Sequence, residues 1–157
     1  WPRTDRPEEG MSGLVTVLVA RRAGVGETAV CGYLVAVYCL GVKNAWGPRR
    51  TSRRDLAACV EECFAAYPAP PLPAPLELAR QIVYGAVDYA VGLGFAPHPD
   101  FALAAGHLGG WTGPGLIGFG RAGRPMFVQG SQDDAGEILR VLDRTVGRGQ
   151  YDALVFA

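Results

Sequence analysis

The chain reads as an α+β domain: a mainly antiparallel sheet with helices on one face, in the order ββααα-ββαβ. Three observations predict this. Two runs rich in β-branched residues stand close together near the start, Gly13–Arg22 and Thr28–Leu40. A clean helical period follows at Leu56–Tyr67. A hairpin pattern followed by a helical one then recurs in the second half, without sequence repetition. Hairpins segregated from helices mark α+β layers.

Each element has a local reason. "GLVTVLVARR" (Gly13–Arg22) ends at the turn "AGVGE" and reads as a strand. "TAVCGYLVAVYCL" (Thr28–Leu40) is longer and apolar on both faces. The closeness of the two predicts an antiparallel hairpin with one buried, central strand. The chain leaves that strand at Gly41, and Lys43 and Asn44 project from its end. Ser52 with Asp55 is an S-x-x-D helix start. Leu56, Cys59, Val60, Cys63, Phe64 and Tyr67 then share one helix face.

"PAPPLPAP" (Pro68–Pro75) stops that helix, because proline lacks a donor and favours extended chain. It reads as a semi-rigid connector inside one domain, 13–157, since either piece alone is too small for a sound core. Residues 1–12 read as a flexible leader. A second helix is expected over Pro75–Leu93, with Ala79, Ile82, Val83, Ala86, Val87 and Ala90 inward and Gly94 at its end. Asp100 is placed to cap a short third helix, Phe101–Leu108, stopped by Gly109-Gly110. Gly115–Gly130 reads as two short strands around an Arg-Ala-Gly-Arg turn. Asp133 or Asp134 caps a fourth helix carrying Ile138, Leu139, Leu142 and Val146, and "YDALVFA" reads as a last strand.

Composition bounds the function. Hydrophobic residues make up 49% and charged residues 19% of the 157, which supports a packed core. Fifteen basic side chains balance fifteen acidic ones, so no whole-molecule field favours nucleic acid. The balance is uneven along the chain: residues 1–54 hold 9 Lys/Arg against 4 Asp/Glu. The excess peaks in "RRTSRR", which offers Arg49, Arg50, Arg53 and Arg54 as an anion or nucleic-acid contact, against the plainer reading of a solvated loop and helix start. No apolar run approaches a membrane span. The polar, acid-containing first ten residues match neither a signal nor a transit peptide. Four cysteines in apolar elements then point to reduced thiols and a cytoplasmic setting.

Chemistry-bearing residues are few. Cys31 and Cys39 share a face of an unbroken strand, and Cys59 and Cys63 share a helix face, but no C-x-x-C spacing supports zinc and core thiols are the plainer reading. His98 and Asp100 form an H-x-D pair in a proline-bracketed loop, and His107 lies near a helix end. With Asp133 or Asp134 these supply ligands for a metal or a His–Asp acid–base pair; a capping Asp100 and a dipole-paired His107 are the structural alternative. Only three serines occur, none in a nucleophile elbow. "GFGRAG" matches G-x-G-x-x-G but lies between short strands, with no helix opening on it. Lys43 is the only lysine in the chain, a compact ammonium among arginines.

Four stretches carry a resemblance: "YLVAVYCLGVKNAWGP", "LELARQIVYGAVDYAVGLGFAPHPDFALAAGHLG", "WTGPGLIGFGRAGRPMFVQG" and Asp133-Asp134. Over most of the chain after Met11 they resemble a family of uncharacterised bacterial proteins frequent in actinobacteria. That family's strand motif reads Leu-Val-Asp-Val-Tyr-Cys-Leu-Gly-Val-Lys, and Ala36 stands here at the acidic place. Its Gln-Gly-Pro-Tyr segment is Gln129-Gly130-Ser131-Gln132 in this chain. The resemblance implies that a site using the acid and that loop is weakened or lost.

Two functions compete. One is a non-enzymatic binding or accessory module that meets a protein partner, or nucleic acid through Arg49–Arg54. The other is a metal-assisted hydrolase or nuclease using His98, Asp100 and Asp133, with Lys43 steadying negative charge. The first is favoured, because no complete catalytic constellation is spelled out. No cofactor is expected.

Overall fold

A computed structural model describes residues 13–156. The leader expected over 1–12 lies outside the described residues. Strands β1 (Leu14–Gly24), β2 (Glu27–Ala36) and β3 (Gly41–Ser52) form an antiparallel sheet in the order β1-β2-β3. Helices α1 (Arg53–Phe64), α2 (Leu76–Gly92) and α3 (Phe101–Leu108) follow. Then β4 (Met126–Val128), α4 (Ala135–Thr145) and β5 (Asp152–Leu154) close the fold, β4 pairing with β5 in parallel. The class is α+β, as the patterning predicts.

The first correction concerns the long strand. Thr28–Leu40 is not continuous: β2 ends at Ala36, residues 37–40 turn, and the chain comes back as β3. Gly41 makes the return, with φ +66°. Its missing Cβ matters, because one there would lie 2.7 Å from the Ala90 Cβ and 2.8 Å from the Ala86 carbonyl. Lys43 and Asn44 therefore sit within an edge strand and not at a strand exit. Gly47 and Pro48 hid that strand from sequence reading. The register jumps from Val30↔Arg49 to Gly32↔Trp46, so both residues are absorbed in a bulge where an edge strand tolerates proline. Cys31 and Cys39 consequently do not share a strand face.

The second correction concerns the layers. Odd-numbered residues of β1 and β2 (Val17, Val19, Cys31, Tyr33, Val35) join Val83 and Ala86 of α2 and Ala104 and Leu108 of α3 in the main core. The Tyr33 hydroxyl donates to the Ala104 carbonyl at 2.6 Å, inside that layer. Even-numbered residues point the other way, and α1 lies there. Thr16 Oγ1 and Tyr67 Oη are 2.7 Å apart. Arg49, opposite Val30, donates to the Cys59 sulfur at 3.1 Å. The helices thus cover both faces, not one. The connector 68–75 carries the chain from the α1 side to the α2 side.

The third correction lies downstream. No strand forms over 115–119; a single bridge, Arg121↔Arg124, precedes β4. Phe119 instead packs against Gly85 and stacks on Tyr89 with ring centroids 5.8 Å apart. A second core cluster of Cys39, Leu93, Phe127 and Leu142 joins the turn after β2 to α4. Asp134 caps α4 by accepting from the Glu137 amide at 3.0 Å, and Ser52 caps α1 through the Asp55 amide at 3.1 Å. Asp100 occupies the position before α3, but its side chain makes no capping hydrogen bond. Among the described residues no helix is long and apolar enough to cross a membrane.

Candidate functional site

Two places deserve comparison, one beside Lys43 of β3 and one along β1. The first is built on Lys43. Leu34 pairs with Asn44 and Val35 with Val42, so Lys43 is the extra residue of a β-bulge, a device that re-aims a side chain. Its ammonium donates to Asp133 Oδ2 at 2.6 Å. The same oxygen accepts from the Gly130 amide at 2.7 Å, and the Asp133 amide donates back to the Gly130 carbonyl at 3.1 Å. The two side chains are only 20% and 9% exposed. A cavity of about 60 Å³ adjoins them, walled in part by Leu14, Ala36, Cys39, Lys43 and Gln129. Ala36 faces the space beside Lys43. Cys39 is inert in that wall: burial pushes its thiol up to about 12.

His98 and Asp100 do not join this group. The His98 amide donates to the Val42 carbonyl at 2.9 Å, which anchors the loop beside Lys43. Its Nδ1 accepts from the Asp100 amide at 3.2 Å, with the Asp100 carboxylate 4.0 Å away. Neither residue lines the cavity. The four residues named for catalysis thus form two separate pairs, Lys43 with Asp133 and His98 with Asp100. Among the described residues no three His, Cys, Asp or Glu side chains stand close enough to hold a metal ion.

The basic run divides in two. Arg49 lies over the Trp46 ring, 5.3 Å from its centroid, besides bonding Cys59. Arg50 pairs with Glu27 at 2.8 Å. Arg53 and Arg54 open α1, are exposed, and have no ion-pair partner among the described residues. Two of the four arginines are thus committed within the fold.

The second place is a groove of about 530 Å³ along β1, which sequence reading missed. Among the described residues β1 is an edge strand, and from Val15 onward it offers backbone groups along its outer side. Leu56, Val60 and Phe64 of α1 wall the groove on one side, and Leu78, Ala79 and Ile82 of α2 on the other. Pro71–Ala74 of the connector add a rim, where Leu72 is 87% exposed. Proline has no amide hydrogen, so this rim cannot serve as a full pairing strand for β1. The one signal in the sequence was β1 itself: Leu14, Thr16, Leu18 and Ala20 make its second face mostly apolar as well. No protein-family model, curated protein or solved structure matches the chain.

Proposed function

We propose that the protein is a non-enzymatic binding module that takes an extended segment of a partner protein into the groove along β1. One observation carries this: an apolar channel of about 530 Å³ opens on an edge strand, so one place offers both burial and backbone hydrogen bonds. Strand addition draws affinity from the main chain and specificity from alternate side chains. The groove's size falls within the range of ligand-binding clefts, roughly 300–1,000 Å³. A cytoplasmic setting goes with this reading, supported by four free cysteines, three of them buried.

Selection from a displayed random-peptide library tests it. Enriched peptides should alternate apolar residues, protect β1 amides from hydrogen exchange, and lose binding to a Leu78→Glu protein that keeps its circular dichroism. A library that yields no such peptide overturns the reading. Salt-dependent binding of an RNA or DNA oligonucleotide, lost on neutralising Arg53 and Arg54, replaces it with the nucleic-acid version.

A further inference from the structure

No charged residue lines the groove, but two arginines stand in line with its walls beyond one end. On β1, side-chain alternation places Arg22 in line with Leu18 and Ala20, on the side facing α1. On α1, helical spacing places Arg53 in line with Leu56, Val60 and Phe64. Strand register puts both at the same end: Arg22 pairs with Thr28, Thr28 with Thr51, and Arg53 follows two residues later. Neither acid nearby in sequence pairs with Arg22 or Arg53. Glu27 holds Arg50, and Asp55 accepts from Ser52 at 2.7 Å. Arg22 and Arg53 are exposed, with no ion-pair partner among the described residues.

We infer, resting on the groove reading above, that the docked segment is a strand pairing antiparallel with β1, with acidic residues just before its apolar run. Antiparallel pairing continues the pattern of the sheet and is the slightly more stable arrangement. It sets the incoming N-terminal end beside Arg22 and Arg53, where carboxylates complement the charge. A second copy of this chain is not the occupant. Its own β1 is flanked by its own α1 and α2, which keep two such edges from the roughly 4.8 Å that strand pairing needs.

Three labelled peptides test this by fluorescence anisotropy on the whole protein: Glu-Glu-Val-Thr-Val-Thr-Val-Thr, the same run with the glutamates last, and the same run with lysines in their place. The first should bind about tenfold tighter than the lysine peptide, as expected for two partly exposed charge pairs. Arg22→Glu with Arg53→Glu should remove that advantage without changing the circular dichroism, and high salt should shrink it. Equal affinity for glutamate and lysine peptides overturns the charge inference and leaves the groove reading standing. Tighter binding with the glutamates last overturns the antiparallel direction. If none of the three binds while library-selected peptides do, the acidic-strand inference alone falls. Binding of a fatty acid in place of every peptide overturns both.

Discussion

Lys43 on β3 and Asp133 before α4 meet at 2.6 Å across ninety residues of sequence, and both side chains are largely shielded from water. The pair ties the sheet to the loop between β4 and α4. Lys43→Met leaves the Asp133 carboxylate with the Gly130 amide as its one remaining donor among the described residues. Breaking one half of a mostly buried pair should cost about 2–3 kcal/mol. Adding Asp133→Asn removes the stranded charge but keeps an acceptor for Gly130, so the double variant should be more stable than Lys43→Met alone. Urea denaturation of the four proteins in a mutant cycle reads both effects. A Lys43→Met cost below about 0.5 kcal/mol would mean that the pair is solvated.

Gly41 and Gly26 separate backbone strain from crowding. Both have positive φ, +66° and +73°. A Cβ on Gly41 meets Ala90 and the Ala86 carbonyl, whereas one on Gly26 meets nothing within 4 Å. Alanine at 26 should therefore cost about 1 kcal/mol, the conformational part alone. Alanine at 41 should cost about 1–3 kcal/mol more, because α2 must shift away from the sheet. Equal melting temperatures for the two variants would show that the contact between Gly41 and α2 is loose.

The helix caps make a graded test. Ser52→Ala and Asp134→Ala each remove a side-chain acceptor from a first-turn amide and should cost about 1 kcal/mol. Asp100→Ala removes no such bond and should stay within about 0.5 kcal/mol of the parent. Chemical denaturation of the three variants side by side checks the order.

Cys39 predicts an alkaline loss of stability. Burial raises its thiol from 9.0 to about 12 in the folded state. The folded chain then holds a proton that the unfolded chain releases, so this contribution is fully present below pH 9. It declines as pH rises from about 9 towards 12. Tyr89 is raised to about 12 as well, by burial and then by Cys39, so it adds to the slope only at the upper end. Unfolding free energies measured at pH 8 and pH 10.5 should fall less in Cys39→Ala than in the parent. Parallel slopes would place the alkaline sensitivity elsewhere.

Much of the fold was legible. Ser52 and the Leu56–Tyr67 stripe set α1, and Pro75 preceded α2, because caps and periodicity act within a few residues. The sheet was legible only as two strands. Gly47 and Pro48 read as breakers, and the bulge that accommodates them requires β2 as a partner. The candidate residues fared unevenly for the same reason. Lys43 stood out as the lone lysine, but its partnership with Asp133 depends on how the loop before α4 returns to the sheet. His98 and Asp100 stayed with each other because two residues of sequence suffice to bring them together.

By itself, the sequence determined the α+β class, where the helices begin and most of the residues that α1, α2 and α4 turn inward, since those follow from short-range hydrogen bonding and period. It also held one clue that counted against helices on a single face: β2 is apolar on both sides. An apolar stripe states that a helix must be covered; it does not state by which sheet face. Only the tertiary structure decided that α1 takes the face opposite α2 and α3. With a helix on each side of β1 and prolines at the rim, that placement creates the groove.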